Sequence, residues 1–449
     1  MSRFLRLILD CHKHKDSARW SIRHSHGVSN DLFSRLNLYS FSLAIALLGV
    51  LPRPVSAAIY YINPSCAISG DGTSGNCATS AAGIGAYRAW NAVIFAAGNM
   101  YVQARGTTYT ASGIFVDVSG TATNKVTLSA YGVGAKPIIA PVNGGRGGNT
   151  ILIGMDVSNV VIEGLEIVGP VGVPSGIQSN AIRNNATHDS ASTDISITVQ
   201  KCAIRDVQNY GAAGNDGIDL TGANVQIIDN TISNISNDGV WTRSQNALIS
   251  GNSCSRVSEG EGTGDCYQVN AEGTGSAIVG NYCNHRDQDT KQCIVSNAAN
   301  TVIKNNIVYA YTGAKTNTGI LCDGNRCVIG PGNYVNGGAA GISAGSTYGQ
   351  AHTITGNVVE NSSSYSIDIN AAYSKVTDNT IIRGTAMTNS LLSGIILRNF
   401  VGLEASNNTL SGFGRSLSVY GSVSPTVSGN TYLRDSAHVW NLSTGSPLP

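Results

Sequence analysis

Asn246 to Cys254 reads "NALISGNSC", and its phrasing returns downstream as "SAIVGNYC" (Ser276 to Cys283), "HTITGNVV" (His352 to Val359), "SKVTDNTI" (Ser374 to Ile381) and "PTVSGNTY" (Pro425 to Tyr432). Aligned on the shared asparagine, the series is Asn230, Asn252, Asn281, Asn306, Asn333, Asn357, Asn379, Asn408 and Asn430, with steps of 22, 29, 25, 27, 24, 22, 29 and 22 residues. An echo of that length, made of short apolar runs and Gly/Asn turns, is the mark of a solenoid in which each repeat is one coil. Before each asparagine, apolar and polar residues alternate, as in strands buried on one face. The asparagine then falls at the same corner of every coil, where stacked side-chain amides bond coil to coil.

A second strand recurs in the same register: "GIDL" (Gly217 to Leu220), "GVWT" (Gly239 to Thr242), "CYQV" (Cys266 to Val269), "GILC" (Gly319 to Cys322), "SIDI" (Ser366 to Ile369) and "GIIL" (Gly394 to Leu397). A β-sandwich would place turns every 8 to 12 residues without the longer echo, and the Leu-x-x-Leu-x-Leu cadence of leucine-rich repeats is missing. The pattern resembles the right-handed parallel β-helix proteins of the pectate-lyase-like superfamily over most of Asn159 to Tyr432. The resemblance implies an all-β solenoid acting on polysaccharides. The coils are expected from near Ile151 to near Leu433, inside a domain spanning 151–435, with a C-terminal tail over 436–449. Residues 58–150, with "YYINPSC", "GDGTSGN" and "AGNMYVQARGTTY", resemble the entry module of such secreted proteins. Within them Trp90, Val93, Ile94 and Ala97 recur at helical spacing, which predicts a short amphipathic helix capping the open end.

Composition agrees with β structure outside the cytoplasm. Only 12% of the 449 residues are charged and the formal net charge is +1, which excludes a nucleic-acid-binding or acidic-tail balance. Leu36 to Ala57, "LNLYSFSLAIALLGVLPRPVSA", has an apolar run of signal-peptide length followed by a small-x-small site at Val55-Ser56-Ala57. Residues 1–57 are therefore expected to be an export leader, in which an unusually long basic, His-rich stretch (Arg3 to Arg35) comes before the apolar run. Of ten cysteines, nine lie beyond it, as in an oxidising compartment. Cys66 and Cys77 flank a Gly-rich loop and Cys322 and Cys327 flank "DGNR", so each pair can close a short disulfide. No CxxC pair or Cys/His spacing argues for zinc.

Register turns sequence phase into geometry, because equivalent positions of adjacent coils stack about 4.8 Å apart. Two residues before the first inward residue of the second strand stand Asp216, Asp238, Asp265 and Lys291, with Thr318 and Tyr365 in later coils. The outward position beside them reads Asp219, Trp241, Gln268 and Ile294, and Arg243 follows Trp241 by one strand step. "NHRDQDTKQ" (Asn284 to Gln292), carrying His285 and Arg286, is the densest charge cluster beyond the leader, and Glu259 and Glu261 feed the neighbouring coil. Stacked carboxylates repel and raise one another's pKa unless a cation or a shared proton intervenes.

Three uses fit the column. Asp216, Asp238 and Asp265 can hold Ca²⁺, which takes oxygen ligands, while Lys291 removes the C5 proton of a uronate and an elimination follows. Arg243 and Arg286 would then support catalysis, with Asp219, Trp241, Gln268 and His285 binding an acidic polysaccharide. Alternatively, two of the aspartates act as acid and water-activating base in glycoside hydrolysis, as the resemblance to the polygalacturonase branch implies. The third use is conformational, since Asp-Gly pairs also simply make turns, and a non-catalytic glycan-binding or adhesion solenoid would need no more. The "DPHD" motif of the mannuronan epimerases, the "GHG" and "RIK" motifs of the polygalacturonases and the arginine motif of the classical pectate lyases are all missing, so the resemblance names no polymer.

Overall fold

The computed structural model describes residues 57–174, 176–184, 193–208, 214–257, 264–286, 292–311, 317–345, 350–383, 393–421, 425–434, 439–444 and 446–447. The expected leader and Glu259, Glu261 and Lys291 lie outside these residues. Each coil contributes one short strand to each of three sheets, visited in the same order. Sheet 1 runs from Ile59–Ile62 to Thr426–Ser428, sheet 2 from Thr108–Tyr109 to Thr431–Leu433, and sheet 3 from Ile114–Val116 to Ser446–Pro447. Among the described strands, coils pair in parallel, and the terminal strand pair, Trp440↔Pro447, is antiparallel. These are the sheets of a right-handed parallel β-helix.

Alternation within each strand fills the interior. Ile227, Ile249, Ile278 and Ile303 stack in sheet 1 register and are fully buried, as are Ile218, Val240, Tyr267 and Ile294 in sheet 3. The asparagine ladder stands at the corner between sheets 1 and 2. Each rung donates through Nδ2 to the next rung's Oδ1, from Asn230→Asn252 at 3.0 Å to Asn408→Asn430 at 3.0 Å, without a break. Asn252 Nδ2 also reaches back to the Ile227 carbonyl at 2.8 Å, so one amide ties three coils. The residue before each rung is left-handed, as at Asp229 (φ 54°), Gly251 (φ 68°) and Asn305 (φ 56°). That conformation favours Gly, Asn and Asp, which explains why the recurring phrase is a Gly/Asp/Asn followed by Asn.

The N-terminal cap differs from the expected helix. Residues Trp90–Ala92 form one 3₁₀ turn, and Val93 is already extended. Trp90 is buried and donates Nε1–H to Gln103 Oε1 at 2.7 Å, so it plugs the first coil together with Phe95. Ile94, counted as part of the helical stripe, is 85% exposed. The apolar spacing is thus that of an extended segment in which Trp90 and Phe95 are buried and Val93 packs against the core. At the other end Val439–Asn441, in the expected tail, pairs with Leu417–Val419 as a further sheet 3 strand.

Four disulfides occur among the described residues, Cys66–Cys77, Cys254–Cys266, Cys283–Cys293 and Cys322–Cys327. The first and last are the expected pairs. The middle two cross the turn from sheet 2 to sheet 3 in adjacent coils, and all four fit an oxidising compartment. Among the described residues no helix is long and apolar enough to cross a membrane.

Candidate active site

The turn from sheet 2 into sheet 3 builds a second, polar ladder. Asp216 donates its backbone N–H to Asn180 Oδ1 at 2.9 Å, Asp238 N–H to Asp216 Oδ1 at 3.2 Å, and Asp265 N–H to Asp238 Oδ1 at 2.7 Å. The next donor is Gln292 N–H, to Asp265 Oδ1 at 3.0 Å. On the preceding side Asn180 Nδ2 donates to Asn149 Oδ1 at 3.0 Å. The column therefore reads Asn149, Asn180, Asp216, Asp238, Asp265, Gln292, and its three aspartates are buried.

Two sequence expectations are corrected by this register. Tyr267 pairs with Ile294 and Gln268 with Val295, so Val295 and not Ile294 continues the outward row of Asp219, Trp241 and Gln268. By the same step Gln292, not Lys291, occupies the aspartate column. The slip arose because Cys293 is buried and reads as the first inward residue, whereas it pairs in phase with Cys266, one position before the strand.

Beside the column a cleft of about 340 Å³ opens between coils, lined by Arg183, Asp216, Asp219, Asn237, Trp241 and Arg243 among others. Asp219 stands on the outer face of sheet 3, flanked in register by Arg183 and Trp241. Arg183 Nε lies 3.1 Å from Asp219 Oδ2 and its Nη1 donates to Gln178 Oε1 at 2.7 Å. The Arg243 guanidinium lies over the Trp241 ring, 4.2 Å from its centroid, a cation–π contact that fixes both side chains in the cleft wall. Asn237 Nδ2 donates to Asp216 Oδ1 at 2.8 Å.

Burial governs the charge state here. It pushes the Asp219 carboxyl up to about 7, helped by Asp216 and opposed by Arg183 and Arg243. Asp216 is pushed up to about 6 by burial, against the hydrogen bonds from Asn237 and the Asp238 N–H and the pull of Arg183. Asp238, buried between Asp216 and Asp265, is raised well above the carboxylate range, again chiefly by burial. Loss of hydration disfavours the anion more than Arg183 favours it, so the cluster retains protons near neutrality.

The remaining predicted residues divide. Asp219, Trp241 and Arg243 meet Asp216 in the cleft, and Gln268 lies behind it, where its amide nitrogen, oriented to donate, reaches Asp265 Oδ2 at 3.1 Å and Asp238 Oδ2 at 3.2 Å. His285 belongs elsewhere: it is buried, its Nε2 lies 3.2 Å from Cys266 Sγ, and burial lowers its pKa to about 4. It packs beside the Cys254–Cys266 and Cys283–Cys293 disulfides, as His352 does beside Cys322–Cys327. Sulfurs joined as disulfides offer no thiolate to a metal. Arg286 stacks on the Tyr309 ring at 3.6 Å, on the outer face of sheet 2. Both were drawn toward the site by sequence proximity to Lys291. Conversely, Arg183 was missed, although "NAIRN" (Asn180–Asn184) repeats the sheet 3 phrase one coil earlier and sets Arg183 opposite Asp219.

The donor set of the column is all oxygen, the type calcium takes. Yet Oδ1 of each aspartate already accepts a backbone N–H, and Oδ2 of Asp238 and Asp265 faces the Gln268 amide. These five oxygens therefore already face protein donors.

No protein-family model and no curated protein matches the sequence. Among solved structures, a GH136 lacto-N-biosidase from Eubacterium ramulus aligns with TM-score 0.51 and 15% identity over 73% of this chain and 64% of that one. The chain is a parallel β-helix. The β-helix thus spans under two thirds of that protein's length. Further similar structures are the A-module of an Azotobacter vinelandii mannuronan C-5 epimerase (TM-score 0.46, 13% identity, 76% of this chain and 88% of that one) and a mannuronic acid specific family 6 polysaccharide lyase from human gut microbiota (TM-score 0.44, 11% identity, 74% and 82%). At these identities the likeness is one of fold.

Proposed function

We propose that this β-helix is an exported polysaccharide-active enzyme that cleaves glycosidic bonds with Asp216 and Asp219 as its acid/base pair. The observation carrying the reading is that two buried carboxylates of one strand segment open into a single cleft walled by the Trp241–Arg243 pair and Arg183. Asp219, with the higher pKa, is the proton donor to the glycosidic oxygen. Asp216 takes a proton from a water whose oxygen bonds to the anomeric carbon as the C–O bond to the leaving sugar breaks. The Trp241 face gives a sugar ring an apolar platform, and Arg183 and Arg243 suit hydroxyl or carboxylate oxygens of an acidic chain. The four disulfides support export.

β-Elimination on a uronate polymer is the second reading. It draws on the three-carboxylate column as a calcium site and on Lys291 as base, which the sequence places next to the column residue Gln292. Purified protein incubated with acidic and neutral polysaccharides separates the readings. Hydrolysis releases reducing ends without the ultraviolet absorbance of an unsaturated uronide, elimination releases both, and an adhesion solenoid neither. The proposal requires the first outcome, with loss of product by orders of magnitude in Asp219→Asn.

A further inference from the structure

A second cleft lies on a different edge of the solenoid, at the turn from sheet 3 into sheet 1. One residue per coil is left-handed there: Asn224 (φ 63°), Asn246 (φ 54°), Gly275 (φ 80°), Asn300 (φ 58°), Arg326 (φ 57°), Ala351 (φ 57°), Tyr373 (φ 56°) and Gly402 (φ 68°). Those from Asn224 to Tyr373 donate their N–H to a carbonyl of the next coil, as Asn300 to Asn325 at 2.7 Å, Arg326 to Gln350 at 2.8 Å, Ala351 to Ala372 at 2.7 Å and Tyr373 to Val401 at 3.0 Å. Asn and Gly adopt this conformation most readily. Arg326, Ala351 and Tyr373 depart from that preference, and the two large side chains among them are exposed, Tyr373 by 59%.

The surroundings are shaped to these two side chains. A cleft of about 550 Å³ is lined by Asn300, Asn325, Arg326, Gln350, Ala351 and Tyr373 with Ala299. Ala351 stands between Arg326 and Tyr373 and leaves the floor low. Beyond Tyr373, a Cβ at Gly402 would come within 2.5 Å of the ring's Cδ1, so the ring rests against the Gly402 backbone, which sets its position. Arg326 and Tyr373 are two coils apart, roughly 10 Å, a span that takes a disaccharide.

We infer that this cleft is a second glycan-binding site, taking a short segment of an acidic polysaccharide with one sugar on the Tyr373 face and a carboxylate or sulfate toward Arg326. An exposed ring supplies the apolar platform that the C–H face of a sugar requires. The side-chain amides of Asn300, Asn325 and Gln350 offer both donors and acceptors to hydroxyls, and the guanidinium pairs with an anionic group. The site has no part in bond cleavage and holds the polymer near the enzyme, so its benefit is one of effective concentration. Only the choice of a polysaccharide ligand rests on the function proposed above.

The test uses the full chain carrying Asp219→Asn, so that bound sugars are not cut, and saturation-transfer NMR with oligogalacturonate, oligomannuronate and uncharged maltohexaose. An acidic oligosaccharide is expected to bind. Tyr373→Ala should weaken it about tenfold, the effect of losing an aromatic anchor, while Tyr373→Phe stays within about twofold because the ring is kept. Arg326→Ala should weaken the acidic probes and leave maltohexaose unchanged. Binding by none of the probes, binding indifferent to Tyr373→Ala and Arg326→Ala, or tighter Tyr373-dependent binding of single-stranded DNA would overturn the inference. Tyr373-dependent binding in a protein whose wild type releases no product supports this site and removes the catalytic reading instead.

Discussion

Replacing Asp216 by asparagine should make the protein more stable at neutral pH while abolishing its activity. Asparagine already fills the same column at Asn149 and Asn180. Its Oδ1 can keep the bonds that Asp216 Oδ1 accepts from Asn237 Nδ2 at 2.8 Å and the Asp238 N–H at 3.2 Å. What changes is the charge. The folded-state pKa of Asp216 is raised from 3.8 to about 6, so the folded state binds the proton more tightly than the unfolded one. The contribution to stability is full below pH 3.8 and is lost as the pH rises through 6. A rise of that size corresponds to about 3 kcal/mol, an upper figure because the carboxylates share their protons. In urea unfolding followed by fluorescence, Asp216→Asn should gain up to about 3 kcal/mol over wild type at pH 8 and close to nothing at pH 4. Equal destabilisation at both pH values, or a stabilised variant that still cleaves, would refute the account of a strained carboxylate kept for chemistry.

Other outcomes follow from the same geometry. Asn281→Ala removes the acceptor of the buried Asn252 N–H, bonded at 2.9 Å, and should lose about 1–3 kcal/mol in urea unfolding; the half-exposed terminal rung Asn430→Ala should lose less. A pH–rate profile should fall on its alkaline side near pH 7 as Asp219 ionises, and Arg183→Ala should move that limb upward because it removes an interaction favouring the anion. Lys291→Arg, which keeps the charge but cannot deprotonate at ordinary pH, should leave turnover near wild type, as should treatment with EDTA. Loss of activity by orders of magnitude in either case would favour the calcium and lysine elimination.

How much was legible in the sequence depended on how tightly each position is constrained. The rungs Asn230 to Asn430 could be aligned because a left-handed residue followed by a buried amide admits few residue types, and each rung is bonded to the next. The aspartate column was legible for the same reason, since Asp216, Asp238 and Asp265 also serve as turn acceptors. Reading failed where a constraint was shared by two residues. Cys293 and Ile294 are both buried residues of one strand, the first also held in a disulfide, and periodicity alone could not say which is in phase with Tyr267. The middle disulfides were not legible either, because Cys254 and Cys266 sit on different sheets and meet only once the coil closes. Arg183 was lost because its coil follows the long step from Asn149 to Asn180, which hides the repeat.

The two ladders show why the site stands where it does. At the corner between sheets 1 and 2, every rung from Asn230 on is an amide that both donates and accepts. At the corner before sheet 3, the column begins in the same way with Asn149 and Asn180 and then changes to carboxylates in three successive coils. The exchange preserves shape and the accepted N–H, so the backbone is indifferent to it, but it replaces an amide donor by a buried titratable carboxyl at each step. A ladder selected only for stability has no reason to make that change three times in neighbouring coils, given how unfavourable stacked buried carboxylates are. Two of the three carboxylates, Asp216 and Asp238, stand in the coils whose Asp219, Trp241 and Arg243 form the cleft wall, and Asp265 stands in the next coil. Protons held close to neutrality beside a cleft are what acid/base chemistry requires, and the solenoid supplies them by altering one atom per rung of a corner it builds anyway.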